Sequence, residues 1–260
     1  MIKINKLISL LAIIVALLSF YNCSEDNPAN PTDEIPKNYF PIEEGTVYKF
    51  ELTESDSSGV LRTGFRNTVY HGSAVINSIS YSGQIDSVTL GTDFTITDSY
   101  FRKTISGVFY YVDTSEVMTV IPDTLKPYVT LQTEFRYILI PLAEGSQWPV
   151  YRITVRLESG ISFTAIDVTG KYLSSENLQL IIGGNSVDVT AVKVKFELSF
   201  IQDITQPERK LTAYAWFTEN VGVVKMEGNS VVLGALLGGE INFDDSTKTI
   251  TQQIIDYEIQ

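Results

Sequence analysis

Apolar and polar side chains alternate along most of the chain after residue 38. Between Val192 and Phe200, apolar residues take every even position, and charged or small polar residues take every odd one. Val47–Thr53 and Tyr151–Leu157 repeat this pattern. A period of two predicts strands with one buried face and one wet face, and antiparallel sheets are the kind that leave a face in water.

The alternation changes phase in one place. Between Val187 and Ala191 the apolar residues fall on odd numbers, and from Val192 they fall on even numbers. Because one inserted residue turns every later side chain to the other face, the switch predicts a β-bulge or a break near Ala191–Val192.

Apolar runs separated by Gly, Asn and Ser clusters predict further strands. The predicted ranges are 60–70, 73–82, 84–90, 92–104, 108–113, 116–121, 128–140, 161–172, 210–218, 221–227 and 248–259. Ser82-Gly83 is one of the predicted turns. A short helix is predicted at Ser175–Ile182, from a capping serine and a following glycine. Helices and strands do not alternate in this pattern, which argues against a parallel sheet and for a mainly β fold.

One nine-residue pattern occurs twice, 100 residues apart. Residues 40–48 and 140–148 both read apolar, Pro, aliphatic, any residue, Glu, Gly, hydroxyl, any residue, aromatic. Proline marks a strand boundary, and glycine allows the positive φ of a tight turn. The pattern predicts one turn used twice, and it leaves open whether two β halves are related.

The N-terminus has the form of an export signal. Lys3 and Lys6 precede Leu7–Tyr21, an apolar run of fifteen residues broken only by two serines, and Cys23 follows as the only cysteine of the chain. A membrane-spanning helix needs roughly 20 apolar residues, so the run fits a signal peptide better.

Residues 1–26 resemble a bacterial lipoprotein signal. The resemblance implies that residues 1–22 are removed and that Cys23 is acylated and anchors the chain in the outer membrane, on its periplasmic or its cell-surface side. Ser24-Glu25-Asp26 resembles a signal for the outer face. An ordinary signal peptide with a bystander cysteine is the alternative, although a lone cysteine is unusual in an exported chain.

The segment after Cys23 is acidic and rich in proline. Ser24–Lys37 has three prolines, four acids and no aromatic residue, which predicts an unfolded tether over residues 23–37. Residues 38–260 are then expected to form a single β-rich domain.

Charge excludes one class of partner. Without residues 1–22 the chain keeps 17 basic and 31 acidic side chains, a net charge of −14. Because binding to nucleic acid needs a basic face, we expect no nucleic-acid partner.

Two segments resemble a group of uncharacterised exported bacterial proteins. These proteins open with Tyr-Phe-Pro-Leu-x-x-Gly-x-x-Trp-x-Tyr and carry a late aromatic segment before Gly-Val-Gly-Val-Val-Lys. The corresponding segments here are Tyr39–Tyr48 and Ala215–Lys225, with Tyr48 where Trp is usual and Asn220 where Gly is usual. The resemblance implies a curved antiparallel sheet or half-barrel, like that of lipoprotein carriers, with at most one or two short helices. It implies no activity.

Residues able to carry catalysis or bind metal are few. His71 is the only histidine, and no Gly-x-Ser-x-Gly motif accompanies it. Asp93/Asp98 and Asp244/Asp245 lack the spacing of a calcium loop, and solvated acids explain them. We therefore expect no catalytic residue, no metal and no cofactor.

The segment Val231–Gly239 is wholly apolar, with small residues interspersed. It reads either as a buried strand or core loop, or as the lining of an apolar ligand cavity by Val231, Val232, Leu233, Leu236 and Leu237. The sequence favours a lipid-anchored, non-enzymatic protein of the cell envelope that binds an apolar small molecule or an envelope protein. The alternative is a structural or adhesion module of a surface assembly.

Overall fold

Strands make up most of the computed structural model, which describes residues 37–119, 121, 123–124, 126–200, 208–237 and 246–260. The strands are β1 (Val47–Asp56), β2 (Gly59–Ile76), β3 (Ile79–Leu90), β4 (Asp93–Thr104), β5 (Gly107–Tyr111), β6 (Val129–Thr130), β7 (Glu134–Leu139), β8 (Gln147–Arg156), β9 (Ser162–Ile182), β10 (Asn185–Phe200), β11 (Arg209–Thr218), β12 (Gly222–Asn229) and β13 (Thr249–Glu258). Two short helices, α1 (Thr114–Thr119) and α2 (Ser230–Leu236), and a 3-10 turn at Lys126–Tyr128 complete the described elements.

The described strands form one antiparallel sheet built from two successive meanders. The sheet order is β6-β8-β9-β10-β11-β12-β13-β1-β2-β3-β4-β5-β7. The first half (β1–β5 and β7) and the second half (β8–β13) each run through six neighbouring strands in chain order. In each half a short helix lies between the fifth and sixth strands, α1 in the first and α2 in the second. The two halves therefore share one topology, and β13 joins them by pairing with β1.

The repeated nine-residue pattern forms the same turn at the start of each half. The Gly45 N–H donates to the Tyr70 carbonyl, and the Gly145 N–H donates to the Tyr172 carbonyl, at 2.9 and 3.2 Å. Both glycines have positive φ, 91° and 79°. The next residue of each copy accepts a hydrogen bond from the same tyrosine's N–H. The turn is thus used twice, as predicted, and it begins two halves of like topology.

The aromatic residue that ends the pattern differs between the copies for a steric reason. Trp148 lies opposite Gly170, where an added Cβ would stand 2.5 Å from the indole ring. Tyr48 is smaller and lies opposite Thr68, which has a side chain. The first half therefore has room for a hydroxyl where the second half has an indole.

The sheet curls so that its two halves share one core. Tyr137 of β7 stacks on Phe196 of β10, with the ring centroids 5.9 Å apart. The Trp148 indole N–H donates to the Arg136 carbonyl, which ties β8 to β7. The prediction of a mainly β fold with a curved antiparallel sheet and few helices is confirmed, and the sheet is open.

A β-bulge lies beside the predicted position, but its extra residue is Leu173 of the partner strand β9, while β10 itself runs without an insertion. Ala191 and Val192 are both buried, which is the expected phase switch, and the pairing of β10 with β9 shifts between Lys193 and Val194.

The predicted helix at Ser175–Ile182 is wrong, because these residues belong to β9. They pair with the start of β10 across a two-residue turn at Gly183-Gly184, and Leu180 is buried in the core. Cross-strand pairing therefore outweighs the weak cap signal.

The predicted strand at 116–121 is also wrong, because residues 116–119 lie in α1. The Asp113 carboxylate accepts the Ser115 N–H at 2.9 Å, which starts a helical turn. The predicted turn at Ser82-Gly83 lies instead at Asn77-Ser78, where both residues have positive φ. Gly83 sits inside β3, where the His71 ring occupies the space of a side chain.

Candidate functional site

A small cavity lies where the first opening turn meets the second half of the sheet. Phe40, Pro41 and Tyr48 form one wall, and Gly222 and Val223 face them. An added Cβ on Gly222 would stand 3.2 Å from Pro41 and from the Tyr48 hydroxyl. The two segments that carry the family resemblance, Tyr39–Tyr48 and Ala215–Lys225, therefore meet at this cavity.

Buried polar side chains form the floor of the cavity. The Arg66 guanidinium donates two hydrogen bonds to the Asp86 carboxylate, at 2.8 and 2.7 Å. Thr68 and Gln84 donate to the same carboxylate at 2.5 and 2.6 Å, and Arg66 donates to the Gln252 side-chain carbonyl at 3.3 Å. Burial lowers the pKa of Arg66, but the Asp86 charge and hydrogen bonds outweigh it, so the pKa lies above the ordinary value.

Two buried donors at the cavity lack a protein partner among the described residues. These are the Tyr48 hydroxyl and the Gln252 side-chain NH2. Burial also raises the pKa of Tyr48, so the phenol stays protonated and can donate. The cavity volume is about 40 Å³, which is room for roughly two or three waters.

The five residues predicted to line an apolar cavity lie on or next to α2. Leu236 and Leu237 line the cavity described here, while Val231, Val232 and Leu233 are buried away from it. Residues 231–236 of this segment are helical, in contrast to the expected strand or core loop, because the Asn229 side chain caps the helix by accepting the Val231 N–H at 3.0 Å, and Gly238 and Gly239 lie outside the described residues. A drug-sized apolar ligand usually occupies roughly 300 Å³ or more, which this cavity does not offer.

The second candidate is a bare apolar surface on the outer side of the first half, which we call the apolar face. It consists of Phe65 and Val69 on β2, Ile85 on β3, and Phe94 and Ile96 on β4. Phe94 and Ile96 are each 62% exposed, and Phe65 is 47% exposed. Thr89 lies opposite both Phe65 and Phe94, so the two rings flank one small side chain.

Alternation alone hides the apolar face. In β2 the odd positions Leu61, Phe65 and Val69 have the spacing of a core face, yet they point outward. The even positions Arg66, Thr68 and Tyr70 point inward and are buried. The sequence of β2 therefore offers two candidate inner faces, an apolar one at the odd positions and one with Arg66 at the even positions. Only the register of the sheet decides which of them is buried.

The candidate catalytic and metal-binding residues do not come together. His71 is exposed, with its ring against Gly83, and Asp93 forms an ion pair with Arg62. Within the described ranges no three His, Cys, Asp or Glu side chains are grouped to hold a metal ion. Asp244 and Asp245 lie outside the described residues, as do Cys23 and the predicted signal peptide. No helix among the residues that the structure describes is long and apolar enough to cross a membrane.

Three solved structures are similar to this chain. A candidate lipoprotein of Parabacteroides distasonis is 14% identical, with 86% of this chain and 99% of that one covered at a TM-score of 0.46. A candidate exported protein of Bacteroides fragilis with a YmcC-like fold is 12% identical, with 85% and 99% covered at a TM-score of 0.46. The hypothetical lipoprotein YmcC of Escherichia coli is 13% identical, with 80% and 83% covered at a TM-score of 0.32.

These similarities are too distant to transfer a function. No family model matches the sequence, and no curated protein matches it significantly. The function therefore has to be argued from this chain's own residues.

Proposed function

We propose that this chain is an exported, non-enzymatic module of the cell envelope, anchored through an acylated Cys23, that binds a protein partner with the apolar face. The exposed cluster of Phe65, Phe94 and Ile96 carries the proposal, because soluble proteins seldom leave contiguous aromatic and aliphatic side chains bare on one surface.

The partner is expected to be a protein with an apolar surface of its own. The apolar face is neutral at its centre, where Thr89 and Ser87 lie between the bulky side chains. The cores of protein–protein interfaces are depleted in charged residues, so a face with small uncharged side chains between large apolar ones suits a protein partner. The strongly acidic chain disfavours adsorption to anionic lipid as the alternative.

The cavity supports an apolar small-molecule ligand less well. Its floor is polar, and its volume suits waters that bridge Tyr48 and Gln252. Native mass spectrometry after incubation with envelope lipid tests this choice, and we expect the bare polypeptide mass. A retained lipid mass would favour the small-molecule function instead.

The anchor is tested with Cys23→Ala in the full chain. We expect this variant to incorporate no labelled fatty acid and to leave the membrane fraction. A variant that stays acylated would contradict the anchor at Cys23.

Binding through the apolar face is tested in detergent-solubilised envelopes by native electrophoresis. We expect the wild-type chain to migrate in a complex and Phe65→Lys to reduce the share in that complex about tenfold or more, as the loss of a central contact does. Ile105→Lys is the matched control, since Ile105 is 94% exposed on the β4–β5 turn. Equal migration of all three forms would overturn the proposal.

A further inference from the structure

The strand that carries Phe94 and Ile96 of the apolar face has an edge that is uncovered, among the described strands, over most of its length. From Asp93 to Tyr100, β4 pairs with β3 on one side. On its other side β5 pairs only with Phe101–Thr104. Among the residues that the structure describes, no strand lies along the remaining eight residues of that edge. In the second half the corresponding strand β11 has partners on both sides from Ala213 to Thr218.

The hairpin geometry tells which backbone groups of β4 face this edge. Leu90 and Asp93 flank the two-residue turn Gly91-Thr92, whose glycine has φ of 62°. The residues that flank such a turn bond to each other, and bonded pairs then alternate along the ladder. Phe94, Ile96 and Asp98 therefore direct their N–H and C=O groups away from β3, toward the open edge.

Two of these residues, Phe94 and Ile96, also belong to the apolar face, so an added strand would gain both hydrogen bonds and apolar contacts. An unpaired edge with exposed apolar residues is a template for pairing with another extended chain. Its sequence, Asp-Phe-Thr-Ile-Thr-Asp, is suited to pair with itself in the antiparallel sense.

A two-fold axis through Thr95 gives the best self-pairing. It places Phe94 of one copy opposite Ile96 of the other, twice, and Thr95 opposite its own copy. Aromatic and β-branched residues form favourable cross-strand pairs. Asp93 falls opposite Thr97, and Asp98 opposite Thr92, so no like charges oppose each other across the new ladder. Arg62 already neutralises Asp93 within its own chain, at 2.5 Å.

We infer that two copies of this chain associate through the free edge of β4, in the antiparallel register that pairs Phe94 with Ile96. The inference goes beyond the proposed function, because pairing at this edge joins β4 to a second copy and leaves Phe65, on β2, open to the protein partner. The two sheets become continuous, and Phe94 and Ile96 of both chains form one apolar strip across the junction.

The test uses a chain that begins at residue 24, which keeps the whole unit from Lys37 to Gln260 and contains no cysteine. Thr95→Cys places two thiols opposite each other in a pair that is not hydrogen-bonded, with Cα atoms about 4.5 Å apart, within disulfide range. Thr97→Cys is the matched control, because its two copies would lie four residues apart, about 13 Å. Mild oxidation with copper phenanthroline should cross-link the first variant and leave the second monomeric.

Sedimentation velocity on the cysteine-free chain gives the second readout. We expect a dimer whose dissociation constant rises about tenfold or more in Ile96→Lys, because lysine on an edge disfavours pairing, and stays unchanged in Ile105→Lys. A single-chain mass at every concentration, or equal cross-linking at positions 95 and 97, overturns the inference.

The two proposals fail in different ways. A chain that is monomeric when pure, but whose envelope complex depends on Phe65, would overturn the self-pairing and leave the proposed function standing. A chain that forms the Thr95-centred dimer, but whose envelope complex is insensitive to Phe65→Lys, would overturn the outer-face partner and leave the self-pairing standing.

Discussion

The outer faces of the two halves differ most clearly on their fourth strands. β4 carries Phe94 and Ile96, and both are 62% exposed. β11 carries Tyr214 and Trp216 on the corresponding side, yet Trp216 is only 4% exposed. The two halves share one topology, so the difference comes from what the neighbouring strands place beside these side chains.

In the second half, lysines cover the indole. Lys193 of β10 and Lys225 of β12 both lie opposite Trp216, with their Nζ atoms 4.8 and 4.7 Å from its ring centroid. Their aliphatic stems shield the ring while the ammonium groups stay in water. Glu176 accepts hydrogen bonds from the Trp216 indole N–H at 2.8 Å and from Lys193 at 3.0 Å, which holds the cover in place.

Among the described residues of the first half, no lysine covers Phe94 in this way. The residue opposite Phe94 on β3 is Thr89, and β5 is too short to reach the other side of Phe94. The second half therefore covers its outer aromatic residue with its own lysines, whereas the first half leaves a similar surface for another molecule to cover.

The largest expected effect is the loss of the covered ring of Trp216, which tests whether the two outer faces differ in energy. Trp216→Ala should lower the free energy of unfolding by about 3–5 kcal/mol, as for other buried aromatic residues. Phe94→Ala is the matched change on the bare side and should alter stability by about 0.5 kcal/mol or less, since the ring is mostly in water. Urea unfolding of both variants, followed by circular dichroism at low protein concentration, measures the difference. Equal losses would mean that the two faces are energetically alike.

A smaller effect comes from giving the first half a cover of its own. Thr89→Lys puts a lysine stem between Phe65 and Phe94, as Lys193 lies beside Trp216. We expect the dissociation constant of the pair of copies to rise about tenfold, or about 1.4 kcal/mol, with folding stability changed by about 0.5 kcal/mol or less. Sedimentation velocity measures this. Ser186→Lys, at an exposed position of β10, is the control, and an equal shift in both variants would contradict the effect.

The sheet and its repeated turn could be predicted from the sequence, because both depend on local patterns. The alternation from Val192 to Phe200 and the glycines Gly45 and Gly145 determine backbone geometry within a few residues. The prediction of a helix at Ser175–Ile182 failed because pairing with β10 outweighs a local cap.

The candidate surfaces could not be predicted, because they depend on register between distant strands. Arg66 and Asp86 are 20 residues apart in sequence and meet only because β2 pairs with β3, and Gln252 reaches them from the far end of the chain. Phe65 and Phe94 lie in alternating strands, where large apolar residues usually face the core. Only the strand register of the folded sheet places them on its outer side. A conflict between pattern and placement of this kind is expected at a functional surface.

The smallest expected effect is a pH dependence of folding stability, which comes from Glu176, the carboxylate that bonds to both Trp216 and Lys193. The pKa of Glu176 lies below its ordinary value of 4.5. The main cause is the hydrogen bond from the Trp216 indole, and the hydrogen bond and charge of Lys193 add to it, because both favour the ionised carboxylate. A carboxylate with a lowered folded-state pKa stabilises the fold fully above 4.5 and loses that contribution as the pH falls through the folded-state pKa. At pH 7 wild type should therefore be about 1 kcal/mol more stable than Glu176→Gln. The gap should close in acid.

Glu51→Gln is the control, because Glu51 lies on the outer face of β1 and has no ion-pair partner among the described residues, and it should show no such gap. Urea unfolding at a series of pH values measures both, and a gap at Glu176 that persists below the folded-state pKa would mean that the stabilisation does not depend on the ionised carboxylate.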